Sequence, residues 1–311
     1  MLKLFKTLIA YGIYALIVGE LIVRLFSLSS DVPQRVITKD GIQKYLPNQK
    51  GSFGKGTHDW QINERGWAGE LPKNYNNLIT IIGDSFIENF MNPDACHQSM
   101  YLKSALPEFN FLEAGRSGVS FIESLEISKH LDSLNPKIQL IYLGDYDIEE
   151  SIANISKKPD ITQLDLSNST IINGKLKAPL LKKILYNWKF MYYLYSKFPL
   201  DFNKKKKPKK DSEPVIKPVM IPSIEKHNEA FEKLVKYAAE NYKVDDKILI
   251  LKPVSTKKLE GLLRKYGFNV ILLDNQQDEW TFVYDRHWTC FGHEEASKQI
   301  AKKISSQNLK P

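Results

Sequence analysis

Apolar runs of strand length alternate with helix-patterned stretches along most of this chain, and that alternation leaves few folds open. The runs are LITII (78–82), FNFLEA (109–114), IQLIYLG (138–144), KILILKP (247–253) and NVILLD (269–274). Between them, apolar spacing predicts helices at about 97–106, 121–134, 223–242 and 256–267, with a last one at about 293–305. Helical crossovers make such strands parallel, and a parallel sheet has to be covered on both faces. The expectation is an α/β fold: a three-layer α/β/α sandwich on a five-stranded, mostly parallel sheet. A length of 311 residues at 42% hydrophobic composition is enough for one such core with appendages.

The first appendage is N-terminal. After Lys3 and Lys6 comes TLIAYGIYALIVG, and the apolar span from Leu4 to Phe26 approaches the roughly 20 residues that cross a bilayer. Glu20 and Arg24 interrupt it, but they are four apart with the acid first, so they share a helix face and neutralise one another. VRLFSLSSDVP offers a poor cleavage site, so residues 1–29 are expected to be an uncleaved signal anchor, a single transmembrane helix. The alternative is a buried amphipathic helix of the globular domain. Short basic flanks stay cytoplasmic, which puts the remainder in the periplasm or at the cell surface.

Residues 30–76 are rich in Gly, Asn and Pro and are expected to form an irregular or short-stranded lead-in to a catalytic domain at 77–305. That domain is interrupted at about 149–222. There LLKKILYNWKFMYYLYSKF fits an amphipathic helix covering the domain core better than a membrane-interface device, and KKKKPKK (Lys204–Lys210) fits a solvated loop, with contact to an anionic surface as the alternative. Much of the net charge of +8 sits in this run, so the charge does not point to nucleic acid. Cys96 and Cys290 are compatible with an oxidising compartment, paired or free. Neither has the spacing of a metal site, and no cofactor is expected.

Ligands of parallel α/β sheets collect at the carboxyl ends of the strands. Gly83, Asp84 and Ser85 follow the first strand, Gly115 the second, Gly144 and Asp147 the third; Asp285 and His287 follow the last. A serine becomes a nucleophile when a histidine takes its proton and a carboxylate orients that histidine. Ser85, His287 and Asp285 supply those types, without the G-x-S-x-G of strand-elbow hydrolases. Taken singly, Asp84 and Ser85 are ordinary turn residues and His287 an ordinary helix cap. His97 and His293 are expected to be structural or surface groups.

Four segments together resemble the SGNH hydrolases, also called GDSL esterases and lipases: IIGDSF, LEAGRSGVS, YDRHWTCFGHEEASKQIA and the lead-in INERGWAGE. The similarity spans roughly residues 60–148 and 245–305. It implies an SGNH/flavodoxin-like sandwich, Ser85 as nucleophile, His287 as base, Asp285 as its orienting acid, and the amides of Ser85 and Gly115 as oxyanion donors. The family's third block, G-x-N-D, is GDYD here, with Tyr146 in place of the asparagine donor; losing such a donor costs about 3 to 4 kcal/mol, and the Tyr146 hydroxyl, with a different reach, and Asn89 are the candidate substitutes. Asp84, Asp147 and Arg116 are secondary candidates, Arg116 as either a solvated charge or a contact to an anionic substrate. The resemblance and the anchor together imply a membrane-tethered esterase or O-acyltransferase for small acyl, chiefly acetyl, esters of cell-surface or exported glycans. The alternative is a degenerate module that binds a glycan or a protein without turnover.

Overall fold

The computed structural model describes residues 2–54, 57–198, 227–253, 255–275 and 278–306. Its centre is a sheet of five parallel strands: β1 (Leu78–Gly83), β2 (Asn110–Gly115), β3 (Ile138–Leu143), β4 (Lys247–Leu251) and β5 (Asn269–Leu272), in the order β5-β4-β3-β1-β2. Helices cover both faces. Side chains alternate across the pleat, so Leu78 and Ile82 of β1 enter one core with α4 (Phe121–Leu131), α8 (Asn228–Asn241) and α9 (Lys257–Lys265). Ile79 and Ile81 enter the other, with α3 (Gln98–Ala105) and α10 (Cys290–Ser306). Burial on both faces is why these strands read as continuous apolar runs.

After β1 the chain moves out to the edge strand β2 and returns through α4 to β3 on the other side of β1. The connections therefore diverge between β1 and β3, the place where a doubly wound sheet opens a crevice at its carboxyl edge. α2 (Ser85–Glu88) starts directly from β1, and α5 (Asp145–Glu150) directly from β3.

The lead-in takes the short-stranded form of the two expected. Arg35–Ile37 pairs with Gln43–Tyr45 and Lys50–Phe53 with His58–Gln61, both antiparallel, around a small core of Tyr45, Trp60, Ile62 and Ala68. The interruption after α5 holds a further hairpin, Gln163–Asp165 with Thr170–Ile172. Its aromatic stretch is two short helices, α6 (Pro179–Asn187) and α7 (Lys189–Lys197), broken at Trp188, and neither contains a buried residue. That corrects the expected core-covering helix. The lysine run 204–210 lies outside the described residues. At the N-terminus, α1 (Leu2–Leu25) is long and apolar enough to cross a membrane or to serve as a signal sequence, and nearly all of it is exposed.

Candidate active site

Ser85 stands at the first position of α2, where β1 ends. Asp84 caps that helix, its Oδ1 accepting the Phe86 N–H at 3.0 Å. From the far end of the chain, His287 places Nε2 2.7 Å from Ser85 Oγ, while its Nδ1 lies 2.5 Å from Asp285 Oδ1. The same carboxylate oxygen accepts the His287 backbone N–H at 3.0 Å. Burial works against ionising Asp285, but these donors hold its carboxyl below the usual range. An anionic Asp285 fixes the proton on Nδ1 and leaves the Nε2 lone pair facing the serine. The His287 and Asp285 side chains keep about a third of their surface exposed, so the pair is open to solvent.

Several contacts set the distance between these loops, 202 residues apart. Cys96 and Cys290 form a disulfide. Asn92 donates to the Trp288 carbonyl at 2.9 Å and to Asn89 Oδ1 at 2.7 Å. Trp288 itself is buried against Phe86, Trp280 and Tyr142, and Phe86 lies 5.0 Å from the His287 ring. Asn89, expected as a substitute oxyanion donor, is committed to this stitching: it is buried and its amide donates to the Cys96 carbonyl at 3.0 Å.

Gly115 also has a different task. Asn110 and Arg116 donate their backbone N–H groups to Asn77 and Gly83 beside them. Donors alternate along a parallel strand, so the N–H of Gly115 faces away from β1. The position needs glycine because a Cβ there would lie 2.4 Å from the Glu88 nitrogen. Gly118, which sequence reasoning passed over, fits a donor role better. It is the third residue of a turn closed by Val119 N–H to Arg116 C=O, with φ of +76° and no atom closer than 3.9 Å to a Cβ built there. A type II turn requires that conformation, which favours glycine. Among the described residues, neither the Ser85 nor the Gly118 backbone N–H has an acceptor within the protein.

The Gly118 turn is locked to α2 and α4. Glu88 accepts the Ser117 N–H at 2.8 Å together with the hydroxyls of Ser117 and Tyr45; burial pushes its carboxyl up, against the pull of Ser117. Arg116, fully buried, pairs with Glu123 and donates to the Ser117 carbonyl at 2.8 Å. It is a structural brace, neither solvated nor presented to a substrate. Tyr146 is half exposed, with its hydroxyl directed to Lys158 at 3.5 Å and to Glu150.

On the other side of Ser85 lies a buried charge cluster. Lys252, just past β4, reaches Asp84 Oδ2 at 2.8 Å and Asp147 Oδ2 at 3.4 Å, and its ammonium sits 4.2 Å from the centre of the Phe86 ring. Asp147 also accepts the Gly144 N–H at 2.7 Å. Burial, with Asp84 adding to it and Lys252 opposing, pushes the Asp147 carboxyl up to about 7. Burial also disfavours the Lys252 charge, yet the two carboxylates outweigh it and keep the ammonium protonated. The sequence signal for Lys252 is a cation at the carboxyl end of the apolar run Ile248–Leu251.

Of the other histidines near the site, His97 is buried 2.5 Å from Glu113, and His293 is buried against Gln98 at 3.0 Å with its pKa lowered by burial to about 3. Among the described residues, no group of His, Cys, Asp and Glu side chains is arranged to hold a metal ion. A cleft of about 580 Å³ adjoins the site on the Glu88 and Ser117 side, with Arg35, Tyr45 and α6 among its walls; Ser85 and His287 lie outside it.

No family model and no curated protein sequence matches the chain. Among solved structures it is similar to TesA (8% identity, TM-score 0.39, over 74% of this chain and 98% of that one). It is also similar to a member of the lipolytic protein G-D-S-L family from Veillonella parvula DSM 2008 (11%, 0.33, 73% and 98%). A third is an active-site mutant of a family two carbohydrate esterase from Clostridium thermocellum (9%, 0.35, 82% and 68%). At these TM-scores the likenesses carry no functional weight; the side-chain geometry does.

Proposed function

We propose that this chain is an SGNH-type serine esterase or O-acyltransferase that works through an acyl-enzyme on Ser85. The observation that carries it is the Asp285–His287–Ser85 relay, with Nε2 2.7 Å from Oγ in an accessible position. As Oγ attacks an ester carbonyl, His287 Nε2 takes its proton and Asp285 stabilises the imidazolium through Nδ1. The unpaired amides of Ser85 and Gly118 supply the two donors for the carbonyl oxygen as it turns anionic. Collapse expels the alcohol, protonated by His287, and leaves the acyl group on Ser85. A water or a second hydroxyl then gives its proton to His287 and takes the acyl group, and His287 returns that proton to the departing Ser85 Oγ.

The finer features of the reading have separate support. Tethering rests on α1; an extracytoplasmic setting fits the Cys96–Cys290 disulfide and the lysines ahead of α1. Small acyl esters of cell-surface or exported glycans are what the family resemblance adds. One observation favours a second reading, a glycan- or protein-binding module without turnover: Tyr146, at the third-block donor position, points to Lys158 rather than supplying a replacement donor.

A panel of aryl acetates and longer-chain aryl esters, with wild type and Ser85→Ala compared in the presence and absence of a glycan acceptor, tests the proposal. Turnover of the acetates that vanishes in Ser85→Ala is expected. Turnover equal in both proteins, or absent from folded wild type, overturns it.

A further inference from the structure

The last two turns of α1 are joined to the α6–α7 hairpin by three specific contacts. Glu20 accepts the first two backbone N–H groups of α7, from Lys189 at 3.2 Å and Phe190 at 2.8 Å, which caps that helix. Arg24, paired with Glu20, donates to the Asn187 carbonyl at 2.9 Å and so caps the end of α6. Gly19 makes room for Phe190, whose ring would lie 2.8 Å from a Cβ at that position. Lys189 continues the chain of contacts to Asp31 at 3.0 Å. The charges that interrupt the apolar span of α1 are therefore the groups that hold the hairpin. A cleaved leader would have no use for such caps.

The level of this junction is informative. Residues 2–18 of α1, which precede it, rise about 26 Å at 1.5 Å per residue, close to the roughly 30 Å of a bilayer's hydrocarbon. The hairpin thus meets α1 where the helix would leave the hydrocarbon for the headgroups. It also presents large apolar side chains with nothing over them: Leu180 is 78% exposed, Ile184 62%, Leu181 58% and Trp188 49%. Leu180, Leu181 and Ile184 share one helix face, with Lys182 and Lys183 beside them and no carboxylate paired to either among the described residues. Exposed Leu21, Ile22 and Leu25 of α1, with Phe26 just after it, continue the apolar surface. Apolar residues with a tryptophan at the edge and lysines able to snorkel are what the boundary between acyl chains and headgroups accommodates.

We infer that α1 and the α6–α7 hairpin form one membrane unit, with α1 crossing the bilayer and the hairpin lying in the interface on the domain side, Leu180, Leu181, Ile184 and Trp188 immersed among the lipids. This rests on the tethered reading of α1 given above, and it goes further: the membrane contact is made twice. Because α6 is also a wall of the 580 Å³ cleft beside Glu88 and Ser117, a hairpin seated this way holds that cleft at the lipid surface.

The tryptophans make this testable. Trp188 is exposed, while Trp60, Trp67, Trp280 and Trp288 are each at most 5% exposed. Full-length protein is reconstituted into phosphatidylcholine vesicles carrying bromine at a shallow or a deep acyl position, and tryptophan emission is read. The expected result is quenching by the shallow bromine of about a fifth of the emission, one tryptophan of five, less by the deep one, and none in Trp188→Phe. A Leu180→Glu, Ile184→Glu double variant, altered only at exposed positions, is expected to lose at least half of that quenching. Retention on vesicles through an alkaline carbonate wash reads α1 separately. Retention without Trp188 quenching overturns the interfacial hairpin and leaves the tether standing; loss from the vesicles overturns both.

Discussion

Two carboxylate clusters flank Ser85, and they differ in what their protons can do. Asp285 and His287 form a pair about one-third exposed, joined to a hydroxyl that water can reach. Asp84, Lys252 and Asp147 form a trio about nine-tenths buried, which fixes the start of α2 against the ends of β3 and β4. In the proposed reaction the first passes a proton, while the second keeps a geometry. A polar rim therefore combines a reactive part with a supporting part, and burial and mobility of charge tell them apart where residue type does not.

The sharpest way to break that distinction is to exchange the effects. His287→Ala should reduce ester turnover by about 10⁶-fold, the scale seen when a triad base is lost, with little change in melting temperature because its side chain is partly exposed. Lys252→Met should act chiefly on stability, costing about 3 to 5 kcal/mol by leaving two buried carboxylates without their cation. Thermal unfolding and steady-state kinetics on both variants check this. A His287 variant that unfolds, or a Lys252 variant as stable as wild type, would erase the contrast between the clusters.

A smaller effect sharpens it. The Asp147 carboxyl is raised by burial to about 7 from an unfolded value near 3.8. Between those values the folded protein keeps a proton that the unfolded chain has released. Stability attributable to this group is therefore highest at low pH and declines as pH rises, by up to about 1.4 kcal/mol per unit, levelling off above 7. Denaturant unfolding of wild type and Asp147→Asn from pH 4 to 8 should show a shallower decline in the variant. Identical slopes would mean that Asp147 ionises in the folded protein as it does in the unfolded chain.

Much of the architecture was legible because it rests on burial. All five strands fall within two residues of their expected ends, since a strand covered on both faces must be apolar throughout. α10 begins at Cys290, three residues before the expected start, because Thr289 accepts the Gly292 N–H and the disulfide holds the first turn. The aromatic stretch misled because its composition matches a core helix, and only contacts reveal that it packs on α1 and contains no buried residue.

Within the site, the three side chains that the structure brings together, Ser85, His287 and Asp285, could be named from types and strand-end positions. The supporting groups could not. Which glycine turns its amide away from β1 and which sits at positive φ in a turn depends on strand alternation and on one hydrogen bond, so Gly115 and Gly118 look alike in LEAGRSGVS. Lys252 is tied to Asp84 across 168 residues, and Asn89 is engaged by a carbonyl seven residues on; neither partner is written in local spacing.

The most direct measurement is intact-mass analysis of the folded protein after treatment with a fluorophosphonate, followed by mapping of the modified peptide. One adduct per chain is expected, on Ser85, absent from Ser85→Ala and from His287→Ala. Folded wild-type protein that gains no adduct, or gains it at another residue, would contradict it.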